Sequence, residues 1–212
     1  MKVKLYPKQY VEYLEIVADK IKENKDYITK LDAETGDGDH WANMNTGFEK
    51  LMQNKEELSS LNLAEMFNKI AMTLMSGIGG SSGILYGSAY LKAAQVSKGK
   101  EYIDIILLEQ ILKAQLDGIM QRGNAGPGYK TMIDPLFQAQ EAMKDAINEG
   151  KNDKDILLAL KYGAETGKDA TVNMEAKRGR ACYRPDRGVG HLDPGAVTMY
   201  YQLSLLADYL LR

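Results

Sequence analysis

The chain has a single cysteine, Cys182, among its 212 residues. No intrachain disulfide can form, and a cysteine-rich zinc module is excluded; one free thiol fits a reducing compartment. No apolar run approaches the roughly 18 residues that a membrane-crossing helix needs. The opening MKVKLYPKQYVEYLEIV sets charges among its apolar positions and lacks the unbroken core of a secretory signal. A cytoplasmic location with no membrane association is therefore expected. A basic surplus is also missing: the net charge of -2 argues against a general nucleic-acid binder. Several motifs are absent as well, among them a G-x-S-x-G elbow, a Walker lysine and a G-x-G-x-x-G turn after a strand. An EF-hand register from Asp37 fails, because Trp41 falls where the fifth loop position needs an oxygen ligand.

What remains is a helical protein of ordinary composition, 44% apolar and 26% charged, which fits one compact domain over residues 1–212. Tyr10, Leu14, Val17 and Ile21 recur at helical steps behind Pro7. A second helix is expected after His40, with Met44, Phe48 and Leu51 on one side, and a third near Asn62, where Glu65 completes a capping box. Ser82 is read as the cap of a fourth, and Ile103 to about Met120 as a fifth. Thr131 to about Ile147 gives a sixth, with Pro135 tolerated behind an Asp134 cap. Asp153 is read as capping a seventh that fades near Lys177, its Gly163, Ala164 and Gly167 admitting a neighbouring backbone. Pro194 opens the last helix behind an Asp193 cap. No segment alternates with period two between hairpin turns. The expected class is all-α, an antiparallel up-and-down bundle of about eight helices.

In such a bundle alternate connections fall at the same end, and here the odd connections are the unusual ones. The first, DAETGDGDHWAN, carries Asp32, Asp37 and Asp39, hard oxygen donors of the kind Mg²⁺ takes. Alone it reads equally as an acidic turn with Asp39 as an N-cap. The third, GIGGSSG, precedes a helix whose N–H groups, with the Ser81 and Ser82 hydroxyls, suit a phosphate; alone it is also an ordinary flexible loop. The fifth is RGNAGPGYK, and the seventh, RGRACYRPDRGVGHLDPG, holds Arg178, Arg180, Arg184 and Arg187. One of these arginines is expected at a ligand and the others in solvent or paired with Asp186 and Asp193. His40 and His191, the only histidines, both fall at this end. Acidic ligands, a phosphate nest and an arginine together match phosphoryl transfer, which relies on positioning and charge neutralisation.

The blocks DAETGDGDHWANMNTGF, GGSSGILYGSAY, RGNAGPGYKTMID and GRACYRPDRGVGHLDPGA, in that order and over almost the whole chain, resemble the ADP-binding L subunits of bacterial dihydroxyacetone kinases. The resemblance implies an eight-helix antiparallel barrel with ADP or ATP at one end. It implies that Asp32, Asp37 and Asp39 coordinate two Mg²⁺ ions, that His40, Ala42 and Asn43 form a nucleotide-contacting turn, and that Ser81 and Ser82 hold phosphate. Gly123 and Met132 correspond to positions lining the adenine pocket, and Arg180 with Asp193, Pro194 and Gly195 completes it, Arg180 also stabilising the transferring phosphoryl group. Implied partners are a K subunit holding dihydroxyacetone and a phosphohistidine-carrying M subunit that rephosphorylates bound ADP. Two alternatives accompany this reading: a kinase subunit for another small ketose, and an ADP-dependent module controlling a transcription regulator. Trp41 departs from the pattern, which commonly has glycine there.

Overall fold

The structure is a computed structural model describing residues 2–212. Among them are ten α-helices and no strand: α1 (Pro7–Glu23), α2 (Lys25–Thr35), α3 (His40–Gln53), α4 (Lys55–Ser60), α5 (Leu63–Gly77), α6 (Gly80–Val96), α7 (Ile105–Gly123), α8 (Ile133–Asn148), α9 (Asp153–Ala170) and α10 (Pro194–Leu210). A lone antiparallel bridge joins Leu5 to Ile103.

Eight of these correspond to the expected helices, and the two extra ones arise from one local device used twice. At Asn24 (φ -99°, ψ 25°) and Asn54 (φ -107°, ψ 16°) the backbone leaves the helix. In each case Nδ2 donates 2.8 Å to the carbonyl four residues earlier, Lys20 and Lys50, taking the place of a backbone N–H. The first amphipathic stretch is thus split into α1 and α2, and the polar connection 54–60 contains α4. Other boundaries shift with their caps. Gly79, not Ser82, is the N-cap of α6, because Gly80 turns the chain at φ +65° and draws both serines into the first turn. Asn152, not Asp153, caps α9 by accepting from the Asp155 N–H. That helix stops at Ala170 and passes through a 3₁₀ turn, Thr171–Asn173, well before Lys177. The sixth expected helix begins at Ile133 rather than Thr131, since the Asp134 carboxylate accepts from the N–H groups of Gly128 and Thr131 and bends the preceding loop around itself. Asp193 and Pro194 hold the positions expected of them.

The long helices form a ring: α1 packs on α3, α3 on α5, and so on through α6, α7, α8 and α9 to α10, which returns to α1. Each buries one apolar face, such as Tyr10, Leu14, Val17 and Ile21 on α1. The tightest approach is α8 on α9, where a Cβ at Gly163 or Gly167 would strike the carbonyl oxygens of Gln138 and Asp134. The interior is filled by aromatic rings: Tyr10 meets Tyr13 and Phe67 edge-on with centroids 5.3 and 5.0 Å apart. A cavity of about 30 Å³ remains among Tyr10, Tyr13, Tyr86, Tyr90 and Gln202.

Candidate functional site

The ring brings the four unusual connections to one end, where they enclose a cleft of about 660 Å³. On one side stand Asp32, Asp37 and Asp39, each offering a carboxylate oxygen within 4.8 Å of the others. Asp32 sits on the last turns of α2, buried, and its Oδ2 accepts from the His40 N–H at 2.9 Å; a side chain at Gly36 would collide with its other oxygen. Asp39 holds the N-cap position of α3 but makes no capping bond, so its carboxylate is left to the cluster. Three hard oxygen donors at this spacing fit a cation such as Mg²⁺, which keeps the remainder of its shell for water and phosphate. Asp37 also forms an ion pair with Arg180, Nη2 to Oδ2 2.5 Å, reaching across from the seventh connection.

Opposite lies the start of α6. Gly79, its N-cap, offers no side-chain acceptor, so the first-turn N–H groups lack helix partners and face the cleft with Ser81 and Ser82. The positive end of the helix adds to this and makes the turn suited to an anion. Asn43 lines the same wall and packs against Gly79, leaving no room for a side chain there. Ile84, Leu85, Ile119, Gly123, Ala125, Met132 and Ile133 form an apolar part of the lining suited to a flat ring.

Residues 34–208 match the family model of the DAK2 domain. The chain belongs to the DAK2 domain family. It is 33% identical over 199 residues to the ADP-binding subunit DhaL of the PEP-dependent dihydroxyacetone kinase of Escherichia coli (strain K12), covering 94% of this chain and 95% of that one. To the ADP-binding subunit DhaL of the PTS-dependent kinase of Lactococcus lactis it is 37% identical over 198 residues, covering 93% and 95%. The triokinase/FMN cyclase of Bos taurus is 33% identical over 204 residues, 96% of this chain but 35% of that longer one. Among solved structures, the C. freundii dihydroxyacetone kinase in its native form superposes with a TM-score of 0.73 at 24% identity, over 97% of this chain and 36% of that chain. Its complex with AMP-PNP and Mg²⁺ gives 0.70 at 25% identity, over 93% and 33%.

All but one of the residues expected at the site line the cleft. Ala42 is the exception; it is exposed on α3 and its carbonyl accepts from Thr46. Two arginines of the seventh connection reach the cleft, Arg180 and Arg178, the latter donating to the Asn124 carbonyl at 3.0 Å. Arg184 is paired with Asp186, as expected, and Arg187 lies 3.7 Å from Glu175. His40 Nε2 is bonded to Thr198 Oγ1 at 2.9 Å; burial lowers its pKa against the opposing pull of Asp32 and Asp39. His191 turns away to Glu34, 3.2 Å from Nδ1. Asp193 caps α10 through the Ala196 N–H at 2.7 Å, and burial pushes its pKa up to about 7. Trp41 does not line the cleft: its indole N–H donates 2.9 Å to the Ile21 carbonyl at the α1–α2 break, under the Lys25 ammonium. Lys130 lines the cleft and was missed, because its unusual backbone has no counterpart in residue type.

Proposed function

We propose that this chain is the nucleotide-binding subunit of a ketose kinase, carrying ADP or ATP with two Mg²⁺ ions and passing the γ-phosphoryl group to dihydroxyacetone held by a separate K subunit. The observation that carries the reading is the convergence, on one cleft, of three carboxylates, an unpartnered helix N-terminus and Arg180. Near-full-length similarity to subunits named as ADP-binding supports it. Bound Mg²⁺ would neutralise phosphate charge, with Asp32, Asp37 and Asp39 as its protein ligands. The first turn of α6 with Ser81 and Ser82 receives phosphate oxygens, and the apolar wall that includes Met132 and Gly123 takes the base. Arg180 leaves Asp37 to meet the charge on the transferring group. In the transfer a ketose hydroxyl oxygen bonds to the γ-phosphorus, the bond from that phosphorus to ADP breaks, and the hydroxyl proton departs to the acceptor side. Return of the phosphoryl group to bound ADP falls, in this proposal, to a phosphohistidine-carrying M subunit; the names of the bacterial relatives, PEP-dependent and PTS-dependent, support a donor other than free ATP. No described helix is long and apolar enough to cross a membrane; a cytoplasmic location is part of the proposal, on the single free cysteine.

The test is reconstitution with the K partner, a phosphoryl donor and dihydroxyacetone, reading ketose phosphate. Arg180→Ala is expected to lower turnover by about 100-fold or more while leaving ADP bound, as removal of a transition-state charge donor does. Good ADP binding with no ketose phosphate from any small ketose would sink the proposal.

A further inference from the structure

Lys130 is 1% exposed, which is rare for a lysine that has no carboxylate in direct contact. Its backbone sits at φ +60°, a region that residues with a Cβ seldom occupy. Asp134 sets that conformation by drawing in the N–H groups of Gly128 and Thr131 at 2.5 and 2.7 Å. With the loop wound around this carboxylate, the Lys130 side chain is thrown inward, beneath the Arg180-bearing connection.

There its ammonium donates to two main-chain carbonyls, Thr171 and His191, the latter at 2.5 Å. These two residues stand at opposite ends of the loop that carries Arg180. The same base is closed by the Gly190 N–H to the Val172 carbonyl, 2.7 Å, and by the Asp193 N–H to Thr171 Oγ1, 3.2 Å. Farther out one rung remains, the Ala176 N–H to the Arg187 carbonyl at 2.9 Å, with anchors from Lys177 to Tyr129 and from Arg178 to Asn124. Gly188 closes over the lysine stem so tightly that a Cβ there would stand 3.1 Å from Cε. Burial lowers the Lys130 pKa, and the charges of Asp193, Asp134 and Asp186 oppose that shift.

We propose that Lys130 is a positioning residue: its ammonium is a clasp that gathers both ends of the 171–193 loop and so holds Arg180 and Asp193 at the cleft. A neutral side chain would leave the partly buried His191 carbonyl without a donor and the Thr171 carbonyl with only the Met174 N–H, 3.2 Å away, and the loop would open locally. The consequence for ligand affinity rests on the nucleotide reading above; the consequence for loop order does not.

Hydrogen exchange on the ligand-free full chain compares the wild type with Lys130→Met, Lys130→Gly and Lys130→Arg. Amides of residues 172–190 are expected to exchange about tenfold faster or more in the Met and Gly variants, with α3 and α6 unchanged. The Met variant keeps most of the buried volume without a donor, so a lysine that only filled space would leave it as protected as the wild type, and the Gly variant, which relieves the positive φ, separates loss of the clasp from backbone strain. Lys130→Arg, which keeps a cation able to reach both carbonyls, is expected to restore most of the protection. In Mg-ADP titration the Kd should rise about tenfold or more in the Met and Gly variants and recover in the Arg variant. Unchanged loop exchange in the Met and Gly variants would overturn the clasp, as would uniform loss of protection throughout the chain in both. A wild type that fails to bind Mg-ADP would remove the nucleotide reading, and the exchange result would still decide the clasp.

Discussion

Asp193 joins a structural task to an electrostatic one: it caps α10 while buried beside the cleft, with a pKa pushed up to about 7. Because the folded protein holds this proton more tightly than the unfolded chain, the group favours folding most at acid pH. That contribution is lost as pH rises from about 4, the ordinary carboxylate value, through about 7. Ligand-free protein should therefore melt at a falling temperature across this window. Asp193→Asn, which still caps but does not ionise, should flatten the slope; thermal melts at several pH values check it. The cap was legible, since Asp-Pro before an apolar stripe has few other meanings. The shifted pKa was not, because it comes first from burial by other elements of the fold, with the Lys130 charge opposing the rise and Asp134 adding to it. Trp41 shows the converse. The sequence marks it as unusual beside the aspartates, but only the fold reveals that it bonds to the Ile21 carbonyl at the helix break and packs away from the cleft.

At the scale of elements, helix existence was legible wherever an apolar stripe had helical spacing, and helix ends were less so. The Asn24 and Asn54 breaks escaped notice because the stripe of α1 runs up to one and asparagine in a polar turn marks nothing; what decides them is a side chain bonding back to its own helix. The small residues of α9 were read correctly as a close approach, and that approach yields a quantitative expectation. Gly163→Ala places a methyl group against the Gln138 carbonyl, so α8 and α9 must separate. The loss should be about 1–3 kcal/mol despite alanine's better helix propensity, measured by denaturant unfolding. An unchanged or raised midpoint would mean that the two helices have slack the packing does not show.

For the whole molecule, the decisive feature is the closed ring with alternating direction. It converts a property of order along the chain, the parity of connections, into a property of space: one end carries three carboxylates, the N-terminus of α6 and arginine. This is why the gathering of these loops around one cleft could be read from sequence before any distance was known, while contacts within it, such as the Arg180–Asp37 pair and the Lys130 bonds to Thr171 and His191, could not. The central claim is that this end is a magnesium-dependent nucleotide site. Calorimetric titration of ADP into the purified chain tests it most directly, with and without Mg²⁺ and with Asp37→Asn. The expected result is saturable 1:1 binding in Mg²⁺, weakened about tenfold or more both by chelation and by the substitution. Affinity that is absent, or that is indifferent to Mg²⁺ and to Asp37, would contradict the account.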